Sequence, residues 1–189
     1  MNCHMENPES TVTVGVAAAS HLREAYHVRY LAFMNRGDDR YANHDLQLMT
    51  DQLDGREGTL LLVALDGEGK VVGSIRLVER AAGPFICDDL YHWEAIGVML
   101  GVDTATAKRR TVLMDRLAVR PGSRNSGLSK NLVEHGLKLI ESRQFKIAVV
   151  VVRTQDTRMI NFFLRRGWST IGNATGNGID AVQLVTRLY

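Results

Sequence analysis

Two carboxylates of the 189-residue chain stand where a carboxylate is costly. Asp115, followed by Arg116, interrupts the apolar run from Val112 to Val119, and Glu94 follows Trp93 in the apolar stretch Trp93–Leu100. A lone buried carboxylate needs a partner or a task. Either acid could act as general base, taking a proton from a substrate ammonium directly or through water. Desolvation beside Trp93 would tune Glu94 for that role. The structural alternatives are an ion pair between Asp115 and a neighbouring arginine, and an ordinary surface position for Glu94.

A second cluster follows at once. Pro121 and Gly122 end the apolar run, and Arg124, Ser126, Gly127, Leu128 and Ser129 form a short loop. Leu128, Leu132, Leu137 and Ile140 then recur at helical spacing. A strand, a glycine loop and a helix N-terminus make a phosphate cradle, because unpaired N–H groups and the positive end of the helix dipole face the anion. Arg124 would add a charge-assisted contact, and Gly127 would let the backbone come close.

The elements that must carry these residues can be read from periodicity. Thr11–Val16 reads as a short strand, and a helix capped at Ser20 runs to about Asn35, with Gly37 ending it. Residues 36–57 lack periodicity, and a loop that long is functional or mobile. Strands are expected at 59–65 and 71–77 around the Asp66–Gly69 turn, then at 111–119, 146–153, 168–172 and 181–188. Helices are expected at 127–142 and 156–166, and Trp93–Leu100 fits either a short strand or a short helix.

Composition bounds the rest. Hydrophobic content of 45% is ordinary for a globular chain, and a formal net charge of +2 demands neither nucleic acid nor a membrane. Two cysteines make neither a metal site nor a disulfide framework, so a cytoplasmic setting fits. No run spans a bilayer. One domain over 1–189 is expected, with the polar residues 1–10 loose.

The order strand, Arg124 to Ser129 loop, helix, Val149–Val152 strand, then Phe162-Phe163 and Gly167-Trp168 resembles the Gcn5-related acyltransferases over roughly 58–189. That implies an α/β (α+β) fold with a mixed, twisted sheet flanked by helices. It also implies chemistry on an acyl thioester of a phosphopantetheine arm, carried by acyl carrier protein or coenzyme A, with no permanently bound cofactor. The backbone at Leu117 and Val119 would pair with the pantetheine amides. Phe163 stands where many such enzymes have the tyrosine that protonates the leaving thiolate.

Over about 25–120, Arg29, Phe33, Asp51, Asp54, the strand Val71–Leu77 with Arg76, and Arg116-Leu117-Ala118-Val119 resemble the acyl-homoserine lactone synthases and the long-chain N-acyl amino acid synthases. The layout is closer to the latter, the N-acyltyrosine synthase type included. The lactone synthases have a glutamate where this chain has Leu113. The resemblance implies an acyl carrier protein as donor, with Arg120, Lys130, Lys138 and Arg143 as docking candidates, and an amino acid as acceptor. Arg29 and Arg76 would hold the acceptor's carboxylate or else order the acidic loop, with Asp51 and Asp54 as their partners. The alternatives are a lactone synthase, an acetyl coenzyme A-dependent N-acetyltransferase and a non-catalytic acyl-binding module.

Overall fold

The computed structural model describes residues 12–80, 83–86, 88–124, 126–176 and 179–188. Residues 1–10, expected to be loose, lie outside the described residues. In chain order the elements are β1 (Thr13–Val16), α1 (Leu22–Met34), the two-residue strands β2 (Ala42–Asn43) and β3 (Leu48–Met49), β4 (Thr59–Leu65), β5 (Val71–Glu79), α2 (Trp93–Leu100), α3 (Thr104–Arg109), β6 (Thr111–Val119), α4 (Leu128–Ser142), β7 (Ile147–Arg153), α5 (Thr157–Leu164), β8 (Ser169–Gly176) and β9 (Ile179–Arg187). Ser20 does not cap α1. It lies in a single 3-10 turn, and the half-buried ring of His21 accepts the Ala18 N–H instead, at 3.2 Å. Trp93–Leu100 is helical, and Gly101, with φ of 66°, turns the chain out of it.

Seven strands form one mixed sheet in the order β1-β4-β5-β6-β7-β9-β8, in which only β6 and β7 run parallel. Helix α4 makes the crossover that a parallel pair requires. Alternation along the strands gives each face its own core. Leu62, Leu77, Met114 and Val150 meet Leu132, Val133, Ile140 and Phe163 on the side of α4 and α5. Leu61, Val63 and Ala118 meet Ala25, Val28 and Ala32 of α1, and beside them Val78, Leu113 and Val149 meet Trp93, Ile96 and Ala107 of α2 and α3.

The register shifts at three places, near Leu65, Arg76 and Gly172, and the shift between β5 and β6 is the one at the cleft. Arg76 faces Asp115 and Ser74 faces Ala118, so Ile75 alone spans Arg116 and Leu117, a β-bulge. Arg116 takes a φ of +53°, unusual for a side-chain-bearing residue. Beyond the bulge the faces exchange, and Leu117 and Val119 join the α4 side. Pairing of β6 with β7 covers only Thr111–Leu113, opposite Ile147–Val149, and then stops. The two strands part at the point where the sequence turns from apolar to Asp115-Arg116.

Helix α4 must lie close to the sheet, because a Cβ on Gly136 would come within 2.8 Å of Met114 Cε. Leu132, with no exposed surface, is the central contact of that helix. Leu132→Ala is expected to lower stability by about 2–5 kcal/mol, read as a fall in urea midpoint at unchanged slope.

Candidate functional site

A cavity of about 770 Å³ opens where β6 and β7 part. Its walls are the C-terminal halves of these strands, the N-terminus of α4, α5, the segment after α1, and Ile86, Leu90 and Tyr91. The volume is typical of a small-molecule site.

The bulge sets Asp115 and Arg116 at the cavity wall, and a buried network holds both. Arg76, with no exposed surface, donates from Nε and Nη2 to Asp115 Oδ1 and Oδ2 at 2.8 and 2.6 Å. Its Nη1 and Nη2 also donate to Asp51 Oδ1 and Oδ2 at 2.6 and 3.1 Å. Arg116 donates from Nη2 and Nε to Asp51 Oδ2 at 2.6 and 3.1 Å. Arg29 Nη1 donates to Asp54 Oδ1 at 2.7 Å, and that oxygen lies 3.1 Å from Arg76 Nη1. The loop is drawn in by the same acids, since Asp51 Oδ1 accepts the Leu53 N–H and Asp54 Oδ2 the Asp51 N–H.

Three guanidinium groups thus face three carboxylates with little solvent to share their charge. Burial alone would raise the Asp51 carboxyl, but hydrogen bonds and charge from Arg76, with the charge of Arg116, hold it down at about 2. Burial likewise opposes the charge on Arg76, yet Asp115 and Asp51 outweigh it and push its pKa above the usual arginine value. Arg29 is lowered by burial, which its single partner Asp54 does not offset.

These contacts correct part of the sequence reading. Arg29, Arg76, Asp51 and Asp54 do not border the cavity and have one another as partners. Of the two roles considered for them, ordering the acidic loop is the one their geometry serves. Phe33, Asp115 and Arg116 do border the cavity, and the Arg116 guanidinium lies 5.7 Å from the Phe33 ring and 4.6 Å from that of Tyr41. Glu94 lies exposed on α2 and does not border the cavity, so the structure does not bring it to Asp115 and Arg116.

The loop before α4 is at the cavity mouth, with Arg124, Gly127, Leu128, Ser129 and Lys130 bordering it. The first helical bond runs from Asn131 N–H to Gly127 O at 3.1 Å, which leaves the N–H groups of Leu128, Ser129 and Lys130 without intrahelical acceptors. Gly127 is required for its φ of +79°, since a Cβ there would meet no protein atom within 4 Å. Its outward side is left open to a ligand. Ser126 does not border the cavity, and its hydroxyl is turned back to Ser123 O at 2.6 Å. Leu117 and Val119 border the cavity on the length of β6 that β7 leaves unpaired. Phe163 is buried against Trp168 at 4.9 Å between ring centres and has no proton to give.

The sequence reading missed how the segment after α1 crosses the cleft. With its amide oxygen turned to the guanidinium, Asn35 accepts from Arg124 at 2.6 and 3.2 Å. Asp38 pairs with Arg153 at 3.0 Å, and Arg36 lies 3.9 Å from Asp156. These partners sit up to 120 positions apart in sequence, and no local pattern links them. Eight Lys and Arg side chains border the cavity, against the carboxylates of Asp38, Asp115 and Asp156. Among the supposed docking cations, Lys130 is at the mouth, whereas Arg120 is tied to Glu24 and Arg143 to Glu79 at the other end of α4. Among the described residues no cluster suited to a metal ion occurs, and no helix is long and apolar enough to cross a membrane.

Comparison with known proteins places this geometry. Residues 19–168 match the model of the acetyltransferase (GNAT) family. No curated protein matches the chain in sequence. Among solved structures, the coenzyme A-dependent acyl-homoserine lactone synthase BjaI is 17% identical, with a TM-score of 0.71 over 95% of this chain and 84% of that one. The lactone synthase MesI is 17% identical, with a TM-score of 0.64 over 94% and 89%. The ribosomal-protein-S18-alanine N-acetyltransferase of Escherichia coli is 15% identical, with a TM-score of 0.62 over 94% of both chains. At these identities the likeness is one of fold.

The network predicts an acid-labile core. The folded Asp51 carboxyl titrates at about 2, below its ordinary 3.8, so its contribution is complete above the ordinary value and fades as pH falls towards 2. Asp51→Asn is expected to cost about 3–5 kcal/mol at neutral pH, because it leaves buried arginines short of a partner. It is also expected to flatten the pH dependence of the urea midpoint between those two values.

Proposed function

The chain belongs to the acetyltransferase (GNAT) family, and on that premise we propose that it is an N-acyltransferase of the long-chain N-acyl amino acid synthase type. The acyl group comes from a phosphopantetheine thioester on acyl carrier protein and goes to the amine of an amino acid, tyrosine being one candidate. The observation that carries the reading is the wall of the cleft, where the buried arginine–aspartate network delivers Asp115 and Arg116 into a cavity that runs on to the unpaired N–H groups of α4. Met159, Phe162 and Val152 give the cavity apolar lining against which an acyl chain could lie.

In the proposed reaction the donor phosphate sits at the N-terminus of α4, beside Arg124. The arm lies along the unpaired edge of β6, whose N–H groups can also stabilise the developing oxyanion. The acceptor enters from the side of Phe33, Tyr41 and Tyr91, its carboxylate drawn to Arg116. Its ammonium loses one proton to Asp115, through water because the carboxylate is already held by Arg76. The free amine attacks the thioester carbon, the C–S bond breaks, and the amine's second proton leaves with the departing sulfur as a thiol. No covalent acyl-enzyme is involved.

The lactone synthase reading is weakened by Leu113, which borders the cavity as a buried apolar residue where a glutamate is expected. A second donor is favoured by one observation, since BjaI and MesI are both described as coenzyme A-dependent.

Three tests follow from the reading. With the two donors compared at equal chain length, the carrier-borne thioester should have the higher kcat/KM and lose that advantage as salt rises. Equal, salt-insensitive values would assign the donor to coenzyme A. Asp115→Asn should cost about a hundredfold or more in kcat, while Glu94→Gln stays at wild type; near-normal turnover by folded Asp115→Asn would remove Asp115 as base. Arg124→Ala should weaken donor binding by about 1.5–3 kcal/mol, and Gly127→Val should block it, with the acceptor KM little changed in both. A wild-type donor KM in Gly127→Val would mean that the loop holds no phosphate.

A further inference from the structure

We propose that the end of the sheet remote from the cavity is a docking surface for an anionic lipid bilayer. Four exposed cations converge there. Arg109 and Arg110 end α3, Lys146 precedes β7, and Arg187 ends β9. The backbone fixes their proximity. Arg110 O accepts the N–H groups of Lys146 and Ile147 at 3.0 and 3.2 Å, and Lys146 O accepts that of Leu188 at 2.9 Å. Neighbouring strands lie about 4.8 Å apart, so the three chain ends bring their charges to one edge. Among the described residues none of the four takes part in an ion pair. Of the acids near this group, Asp103 caps α3 through Thr106, Glu79, opposite Val112 in the sheet, is held by Arg143, and Glu141, five residues before Lys146, is exposed.

An apolar tip joins this edge. Arg187 Nη2 donates to Met99 O, which fastens the end of α2 to the cations. Residues 95–102 carry no charge, and Val98 within them is 84% exposed, the most exposed large apolar side chain described. One exposed valine on a polar surface means little. Here it projects from an uncharged helix end with Arg187 fastened beside it. Cations alone would serve a nucleic acid equally well. An uncharged tip among them suits the bilayer interface, where basic side chains meet headgroups and an apolar one enters the acyl boundary.

The orientation is consistent with access. The patch is at the N-terminal ends of β6 and β7 and the cavity at their C-terminal ends. The cavity borders β6 from Leu113 onward, and its mouth at the N-terminus of α4 follows the far end of that nine-residue strand, which is roughly 30 Å long at about 3.3 Å per residue. A molecule docked by this edge keeps its cavity mouth towards solution, where a soluble donor arrives. The inference does not depend on the proposed reaction.

The test is flotation of the full chain with vesicles of phosphatidylcholine, alone or with part replaced by phosphatidylglycerol. Binding is expected only with phosphatidylglycerol, falling as salt is raised. Arg109→Ala with Arg110→Ala should lower the partition coefficient roughly thirtyfold, each cation being worth about fivefold near such a surface. Val98→Ser should lower it about tenfold. Turnover with soluble substrates should be unchanged in both, since none of these residues touches the cavity. Equal binding to neutral vesicles, or wild-type binding by the arginine variant, would overturn the proposal. Retention on duplex DNA without vesicle binding would assign the patch to nucleic acid instead.

Discussion

The guanidinium of Arg76 is the group on which the rest of the site depends. It lies in the middle of the sheet with no exposed surface and contacts Asp51, Asp54 and Asp115 together. A buried charge of this kind is tolerable only when its partners are complete. That requirement is structural information. It pulls the acidic loop, which has almost no regular structure of its own, against α1 and β5, and it fixes Asp115 from behind. Asp51 then passes the constraint to Arg116, the one member of the network whose side chain also stacks on aromatic rings at the cavity.

The bulge at Arg116 converts that constraint into an opening. An extra residue in β6 exchanges the two faces of the strand, so Asp115 stays on the side of α2 while Leu117 and Val119 turn to α4. The same local twist takes the strand away from β7. A positive φ at a residue with a long side chain stores strain, and the two hydrogen bonds from Arg116 to Asp51 are what hold it there. Electrostatics in the network and the geometry of the cleft are therefore one feature seen at two scales.

This explains what was legible in the sequence. The bounds of strands β4, β6 and β7 and helix α4 are legible within a residue or two, because each is a strongly patterned segment with clear ends. Asp115 was noticed because a carboxylate in an apolar run violates the pattern. Glu94 broke a pattern of the same kind and meant nothing, since a short helix has an exposed face that a linear reading does not reveal. Ser20 failed for a related reason, as a 3-10 turn displaced the start of α1 past the residue best suited to cap it. The roles of Arg29 and Arg76 could not be chosen from sequence, because whether an arginine faces substrate or its own carboxylates depends on contacts 25 to 39 residues away.

The segment after α1 adds a link between the two halves of the cleft. Asn35 holds Arg124, beside the N–H groups of α4, while Phe33, two residues earlier, lies against Arg116 on the other side of the splay. Asp38 reaches past them to Arg153 at the end of β7, and burial of this carboxyl is outweighed by Arg40 and Arg153, which keep it ionised and paired. An anion arriving at Arg124 must compete with the Asn35 oxygen for the same guanidinium. Because that oxygen is neutral and a phosphate is charged, the phosphate forms the stronger bond. The segment after α1 therefore touches both ends of the cavity, at Arg124 through Asn35 and at Arg116 through Phe33.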